Sequence, residues 1–189
     1  PQYHDMGLIG SYLGILFCGG SGFYFSPVSF VRKPSLWVLA MSRYKATHMQ
    51  APNFAYGLTA RKFKVDAAAR DKIDLSSVRH MINAAEPVDT VSMETFYNKF
   101  MEYGLKRGVI LPTYGLAEHT VYVCSNGKQV LTVDKAALET TRAVRALAPD
   151  AGPAPPRAAP PAGRGDGGRR VDGVVVPLLL PLHLCASIV

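Results

Sequence analysis

Three short segments carry the residues whose types and spacing could do chemistry. Residues 3–7 precede a long apolar run, residues 83–87 end an apolar run in small side chains, and residues 113–119 combine an aromatic ring, a glycine and Glu118. Small residues after a strand let a flat ligand approach the backbone, and a carboxylate can bind Mg²⁺ beside a phosphate. Taken singly, the segments are weak signals: residues 3–7 are better explained as a helix start, and Glu118 can be a surface acid.

The order of the predicted elements places two of these segments at one edge of a sheet. Short apolar strands alternate with helices of ordinary length, which is typical of an α/β fold with a mainly parallel sheet flanked by helices. Ligands of such sheets bind beyond the carboxyl ends of the strands, where residues 83–87 and 113–118 are expected. We predict strands at 21–25, 46–50, 78–83, 108–112, 120–124 and 130–133, and helices at 8–17, 34–45, 52–63, 91–103 and 134–148.

The same pattern gives further local expectations. The first helix and the strand after it are expected to be buried, and residues 125–128 read as a hairpin turn between the last two strands. Helical spacing predicts which side chains face the core. These predicted core positions are Trp37, Met41, Tyr44, Val91, Phe96, Phe100 and Tyr103.

Composition divides the chain at Ala148. Residues 1–148 hold every aromatic side chain and are predicted to form one folded, partial domain. Residues 149–173 are rich in Pro, Gly and Ala and are predicted to be a disordered linker, because they cannot bury a core. Residues 174–189 form an apolar tail, which is either a linker to a further segment or an unnatural C-terminus. The abrupt change in composition favours the second explanation.

Charge, cysteine and hydropathy exclude several classes of protein. The 189 residues carry a net charge of +7, but no basic stripe with interleaved aromatic residues, so no nucleic-acid partner is expected. Three Cys without a CxxC motif favour reduced thiols and a cytoplasmic location. No apolar stretch is long enough, without breakers, to predict a membrane span. No signal peptide is recognised, and the first residue is expected to be the edge of a fragment.

Together and in this order, the segments resemble the adenylate-forming enzymes and, within them, the fatty acyl-AMP ligases. The resemblance covers about residues 1–147 and is specific as an ordered set, although each motif alone is loose. The segments that carry it are Tyr3–Gly10, Ser26–Phe30, Trp37–Tyr44, Ala51–Tyr56, Ala85–Pro87 and Tyr114–Glu118.

The resemblance implies a role for each segment. His4 would line the passage by which the carboxylate enters, and Tyr114 would stack on adenine. Glu118 would hold Mg²⁺. Met6, Ile9 and Leu13 would wall an acyl tunnel, with core packing as the equal alternative. The residues assigned to the nucleotide are Ala84, Ala85, Glu86, Pro87, Tyr114, Gly115, Leu116 and Ala117.

The implied reaction is attack of a fatty acid carboxylate on the α-phosphorus of ATP. This step needs positioning and charge neutralisation but no protein nucleophile, and the sequence contains no convincing nucleophile–base set. Residues 130–139 are similar to the insertion that separates acyl-AMP ligases from acyl-CoA ligases, so an acyl carrier protein is a candidate acceptor. The open alternatives are an acyl-CoA ligase, a non-catalytic adenylation-like module, and an unrelated α/β domain with chance motifs.

The chain also departs from the family pattern. The Gly/Ser/Thr-rich phosphate loop, the ribose-binding Asp and the small domain with its catalytic Lys are not recognised in these residues. Ala84 stands where the family often has Gly, which matters little if its φ is negative. We therefore expect little or no ligase activity from these 189 residues alone.

Overall fold

The computed structural model describes residues 2–126, 130–146 and 174–177. These fall into two compact units, one made by residues 2–126 and the other by 130–146 with 174–177. Among the described residues, no helix has the length and apolarity that crossing a membrane would require.

The first unit is built on a four-stranded sheet. Its strands are β1 (His48–Pro52), β2 (His80–Ala84), β3 (Ile110–Tyr114) and β4 (Cys124–Ser125), in that spatial order. The first three strands run parallel, and β4 is antiparallel to β3. The fold is therefore α/β with a mostly parallel sheet, as the sequence predicts.

Helices connect and cover these strands. Several begin at a side-chain cap, as the helix Thr90–Phe100 does at Asp89, and the N-terminal helix ends at Gly19, which has left-handed backbone. The helices of this unit are α1 (Asp5–Gly7), which continues as a π-helical segment (Leu8–Leu13) and α2 (Gly14–Cys18), then α3 (Pro27–Arg32), α4 (Ser35–Arg43), α5 (Asn53–Lys62), α6 (Ala67–Arg70) and α7 (Thr90–Phe100). Short 3-10 turns follow at Met101–Tyr103 and Ala117–His119.

The core lies where α4, α5 and α7 pack together with the sheet. Tyr56, Phe96, Phe100 and Met81 are fully buried there, and the ring of Trp37 meets that of Tyr56 edge to face at 5.3 Å. Burial of such side chains contributes about 1.5–3 kcal/mol each. The predicted core positions Trp37, Met41, Phe96 and Phe100 are confirmed, and Tyr103 packs against the core from its rim.

Two predicted core positions are wrong. Val91 is 72% exposed, because it lies on the opposite side of α7 from the buried Phe96 and Phe100. Tyr44 is 45% exposed, because α4 ends before it and its ring stacks on Phe23 at 3.8 Å instead.

The N-terminal region differs most from expectation. The predicted helix forms, but Leu16 is 76% and Phe17 is 87% exposed, so the expected burial is wrong. The predicted strand at 21–25 is an exposed loop, and α3 follows it where no helix was predicted. Apolar composition predicted burial here, but burial depends on a packing partner, which local sequence does not specify.

Two of the elements predicted after residue 119 are shorter than expected. The predicted strand at 120–124 shrinks to β4, which pairs with β3. In the second unit, β5 (Val130–Val133) pairs antiparallel with β6 (Val174–Pro177). The hairpin turn predicted at residues 125–128 lies partly outside the described residues. Asp134 caps α8 (Lys135–Thr141) as expected, but α8 ends before Ala148 because Arg142 is left-handed. The linker predicted at 149–173 lies outside the described residues.

Candidate functional site

The carboxyl ends of the parallel strands bring the central motifs together. β2 and β3 are hydrogen-bonded neighbours in the register Asn83↔Pro112, so the segments after Ala84 and after Tyr114 leave the same edge of the sheet. β1 ends at this edge as well and leads directly into α5. Residues 84–87, residues 114–118 and the first turn of α5 therefore share one edge, which is the usual binding edge of a parallel sheet.

The segment after β2 is tied to the first turn of α5. Ala84 is buried at the strand end without positive φ, whereas Ala85 adopts a left-handed φ of 69° and Pro87 is exposed. Glu86 Oε1 accepts a hydrogen bond from the Phe54 backbone N–H at 2.5 Å. The first N–H groups of a helix have no partner within the helix, and a carboxylate suits them well. The side chain of Glu86 therefore holds the loop, and the loop offers its backbone to a ligand.

A second set of polar contacts fixes the same loop, and the sequence analysis missed it. Asn83 Nδ2 donates to Asn53 Oδ1 at 3.0 Å, and the Asp89 N–H donates to the same oxygen at 3.3 Å. Asn53 Nδ2 donates in turn to the Asp89 carboxylate. The available signal was Asp89 with Ser92 three residues later, which is a helix N-cap pattern.

Asp89 is the charged member of this Asn53–Asn83–Asp89 network. Its Oδ1 accepts from the Ser92 N–H at 2.6 Å, and its Oδ2 accepts from the Ser92 hydroxyl at 2.9 Å. Partial burial raises the pKa of the Asp89 carboxyl, but the hydrogen bonds from Ser92 and Asn53 outweigh it, so the pKa lies below the usual value for Asp. Asn83 is fully buried, and its Oδ1 accepts no hydrogen bond within the described residues.

The segment after β3 is a tight turn that exposes Tyr114 and Glu118. The Leu116 carbonyl accepts hydrogen bonds from the N–H groups of His119 and Val121, both at 3.1 Å. A Cβ at Gly115 would lie 1.7 Å from the Val121 carbonyl oxygen, so this position accepts glycine alone. Tyr114 is 55% exposed, which leaves its ring free to stack on a planar ligand.

The remaining positions of this turn also lie at the surface. Ala117 and Glu118 are exposed in the 3-10 turn, and Leu116 is half-buried. Glu118 takes part in none of the salt bridges found in the described part of the chain. Its carboxylate is therefore available to a cation.

The N-terminal helix meets the sheet at Gln50 of β1. Gln50 Nε2 donates to the Met6 carbonyl at 2.6 Å and to the Ser11 hydroxyl. A Cβ on the buried Gly10 would lie 2.8 Å from Gln50 Oε1, so glycine permits this close approach. Met6 and Ile9 are half-buried and Leu13 is 48% exposed. This contact brings the predicted acyl-binding residues onto the strand that ends beside the two loops.

His4 caps the start of this helix. Its Nδ1 lies 3.1 Å from the Met6 N–H and 2.6 Å from Asp5 Oδ1. The two contacts need different protonation states, because Nδ1 accepts from Met6 only when it lacks a proton and donates to Asp5 only when it carries one. Half of the His4 side chain is exposed, so the ring can reach a ligand as well as serve the cap.

The geometry can therefore hold a planar base and a cation at one end of the sheet. The 84–87 backbone and the Tyr114 ring suit a flat heterocycle. The described residues contain no group of three or more His, Cys, Asp or Glu that could hold a metal by themselves. Glu118 does fit Mg²⁺, which commonly takes one or two carboxylates and completes its shell with phosphate oxygens and water.

The chain is similar in sequence to curated fatty acid ligases. A medium-chain-fatty-acid–[acyl-carrier-protein] ligase, JamA of Moorena producens, is 39% identical over 148 residues, which are 76% of this chain and 25% of that protein. The long-chain-fatty-acid–AMP ligase FadD32 of Mycobacterium marinum is 35% identical over 78% of this chain and 24% of its own length.

Solved structures give the same result. The fatty acyl-adenylate ligase from L. pneumophila, crystallised with acyl adenylate and pyrophosphate, superposes with a TM-score of 0.65 and 37% identity, covering 71% of this chain and 24% of that one. A structure from a study of fatty acyl-adenylate ligases from E. coli and L. pneumophila gives a TM-score of 0.71 and 30% identity, covering 79% and 28%.

The chain spans about a quarter of the length of the curated relatives it matches. The family model described as "AMP-binding enzyme" matches residues 1–152, which is most of the chain. Because this model matches most of the chain, and relatives above 30% identity match it as well, the chain belongs to the AMP-binding enzyme family.

Proposed function

We propose that this chain supplies part of the active site of a fatty acyl-AMP ligase, which joins a fatty acid to ATP and releases pyrophosphate. The observation that carries the proposal is the parallel pairing of β2 with β3, which puts the 84–87 loop beside the Tyr114–Glu118 turn. Support comes from relatives named as fatty acid ligases and from a similar structure crystallised with an acyl adenylate.

In this proposal adenine lies between the 84–87 backbone and the Tyr114 ring. Ala84, Ala85, Glu86 and Pro87 contact it through main-chain atoms, since the Glu86 carboxylate already accepts from Phe54. Gly115, Leu116 and Ala117 form the turn that approaches the phosphate and the acyl carbonyl. Glu118 holds Mg²⁺, which, when bound, neutralises charge on the phosphate oxygens.

The reaction itself is a substitution at phosphorus. A carboxylate oxygen forms a bond to the α-phosphorus, the bond to the bridging oxygen breaks, and pyrophosphate leaves with the electron pair. His4 guides the carboxylate to this point, and Met6, Ile9 and Leu13 line the acyl chain's path. Catalysis of such a step depends on positioning of the two anions and on neutralisation of their charge.

The acceptor after adenylation is proposed to be an acyl carrier protein, and the location cytoplasmic. Two relatives are named as fatty acid–acyl-carrier-protein ligases. The alternative is an acyl-CoA ligase. Residues 130–148 distinguish the two subtypes, because they contain the segment that is similar to the insertion of the acyl-AMP ligases. Deleting them from the longer protein should raise transfer to coenzyme A, and unchanged transfer would rule out this subtype.

The proposed activity is tested by fatty-acid-dependent ATP–pyrophosphate exchange in a longer protein that contains this chain. Tyr114→Ala should raise the KM for ATP, and Glu118→Gln should lower kcat and raise the Mg²⁺ requirement. Tyr122→Ala is the matched control, because Tyr122 is 47% exposed on the same turn but has no assigned ligand contact. Absence of exchange with fatty acids of any length, in protein that binds ATP, would favour the non-catalytic adenylation-like module.

A further inference from the structure

We propose that His48 and His80 form a site for a divalent transition-metal ion at the amino ends of β1 and β2. The two residues are register partners on neighbouring parallel strands, so their side chains project from the same face of the sheet. The facing nitrogens, His48 Nε2 and His80 Nδ1, are 2.9 Å apart, and the ring centroids are 4.8 Å apart. This pair lies at the opposite strand ends from the candidate nucleotide site and is independent of the proposed function.

The spacing of the two nitrogens indicates which ions fit. Bonds from imidazole nitrogen to a divalent first-row metal are about 2.0–2.1 Å long. Two such bonds at a right angle place the nitrogens about 2.9 Å apart, whereas a tetrahedral angle places them about 3.4 Å apart. The observed 2.9 Å, which is the hydrogen-bond distance of the pair without metal, lies within about 0.5 Å of both spans, so divalent first-row ions such as Ni²⁺, Cu²⁺ and Zn²⁺ fit after a small movement of the rings. Water completes the coordination at the exposed His80 side.

A third residue orients the first ring. Thr47 Oγ1 lies 2.9 Å from His48 Nδ1. A metal-bound imidazole usually donates its remote N–H to an oxygen, which fixes the tautomer and directs the other nitrogen at the ion. With Nδ1–H donated to Thr47, His48 Nε2 carries the lone pair and faces His80. Without metal, His80 Nδ1–H donates a hydrogen bond to His48 Nε2. Metal binding moves this proton to the exposed Nε2 of His80, so both rings stay neutral.

Arg79 directly precedes His80 in the sequence. Its charge opposes an added cation, so the two-nitrogen chelate must outweigh this repulsion for binding to occur.

The direct test is calorimetric titration of the purified, tag-free 189-residue chain with Ni²⁺, after its three thiols are alkylated. The chain has five histidines, so His4, His119 and His183 are replaced by Gln in the background to leave the proposed pair alone. We expect one Ni²⁺ per chain, and His48→Ala or His80→Ala should each weaken binding at least tenfold. Restoring His119, which stands alone in an exposed turn, should change the affinity less than twofold.

Two further readouts keep the test decisive. His80 is exposed, so His80→Ala is expected to fold even if a change at half-buried His48 does not. Paramagnetic Ni²⁺ should broaden the NMR signals of Thr47 and Arg79 but leave those of Tyr114 sharp. Ni²⁺ should also raise the thermal unfolding midpoint of the parent chain but not that of His80→Ala. Binding that survives both His variants, or no saturation below millimolar Ni²⁺, would overturn the proposal.

Discussion

Replacing Asp89 by Ala should destabilise the first unit more than any ordinary loss of a helix cap. Asp89 performs two tasks, because it caps α7 through Ser92 and it accepts from the side chain of Asn53. Asn53 is 6% exposed and also holds Asn83 and the 84–89 loop. Removing the carboxylate therefore removes a cap and leaves a nearly buried amide donor without its acceptor.

The magnitude follows from these two losses. An N-cap substitution by Ala costs about 1 kcal/mol, and a buried donor left without a partner costs about 1–3 kcal/mol. The expected total is about 3 kcal/mol, which lowers the thermal midpoint of a unit of this size by about 10 °C. Asp66→Ala is the matched control, because Asp66 caps the four-residue α6 through Ala69 and is exposed. Its loss should cost no more than about 1 kcal/mol.

Equilibrium urea unfolding, followed by fluorescence of the buried Trp37, measures both variants against the parent. Because the folded-state pKa of Asp89 lies below its unfolded value, the unfolded chain binds more protons in acid. The parent should therefore lose this stability as the pH falls through the folded-state pKa of Asp89. The difference in the free energy of unfolding between the parent and Asp89→Ala should become smaller at low pH. Equal destabilisation by the Asp89 and Asp66 variants at neutral pH would refute the role given to the network.

Three further predictions concern backbone geometry and exposed charge. Gly115→Ala should disrupt the turn after β3, because its methyl group would meet a backbone carbonyl; it should broaden the NMR signals of that turn while the core keeps its dispersion. Ala85→Gly should stabilise the chain by about 0.5–1 kcal/mol by relieving a left-handed φ, whereas Ala84→Gly should destabilise it by a similar amount, as urea midpoints will show. A hydrogen bond of 2.6 Å from Lys45 Nζ to Asp74 Oδ2 lowers the pKa of the Asp74 carboxyl. The parent should therefore lose this stabilisation as acid protonates the carboxylate, and the urea midpoint of Asp74→Asn should depend less on pH.

Local sequence predicted the parallel strands and the helices between them well. The strands predicted at 46–50, 78–83 and 108–112 appear within two residues of β1, β2 and β3, because short segments between helix boundaries leave few alternatives. The helix beginning after Pro52 and the helix before Gly104 also formed, since proline and glycine fix such ends through their backbone geometry.

What failed depends on contacts between distant residues. The loop at 21–25 reads as a strand only if a neighbouring strand accepts its hydrogen bonds, and the sequence does not show whether one exists. Likewise, Asn53 and Asp89 are 36 residues apart, and their pairing follows from the order of β1 and β2 in the sheet. The meeting of residues 84–87 and 114–118 at one end of the sheet could therefore be predicted, but the network that holds the first of these loops could not.

The two loops of the candidate site share a feature that explains why they need such support. Ala85 in one, and Thr120 and Val121 in the other, adopt left-handed backbone at φ values of 69°, 52° and 77°. Each costs about 1–2 kcal/mol for a residue with a Cβ, and persists only where surrounding contacts fix it. The bonds from Phe54 to Glu86 and from Val121 to Leu116 supply those contacts without any ligand. A ligand entering this edge would therefore meet loops already held in shape, and its binding energy need not be spent on folding them.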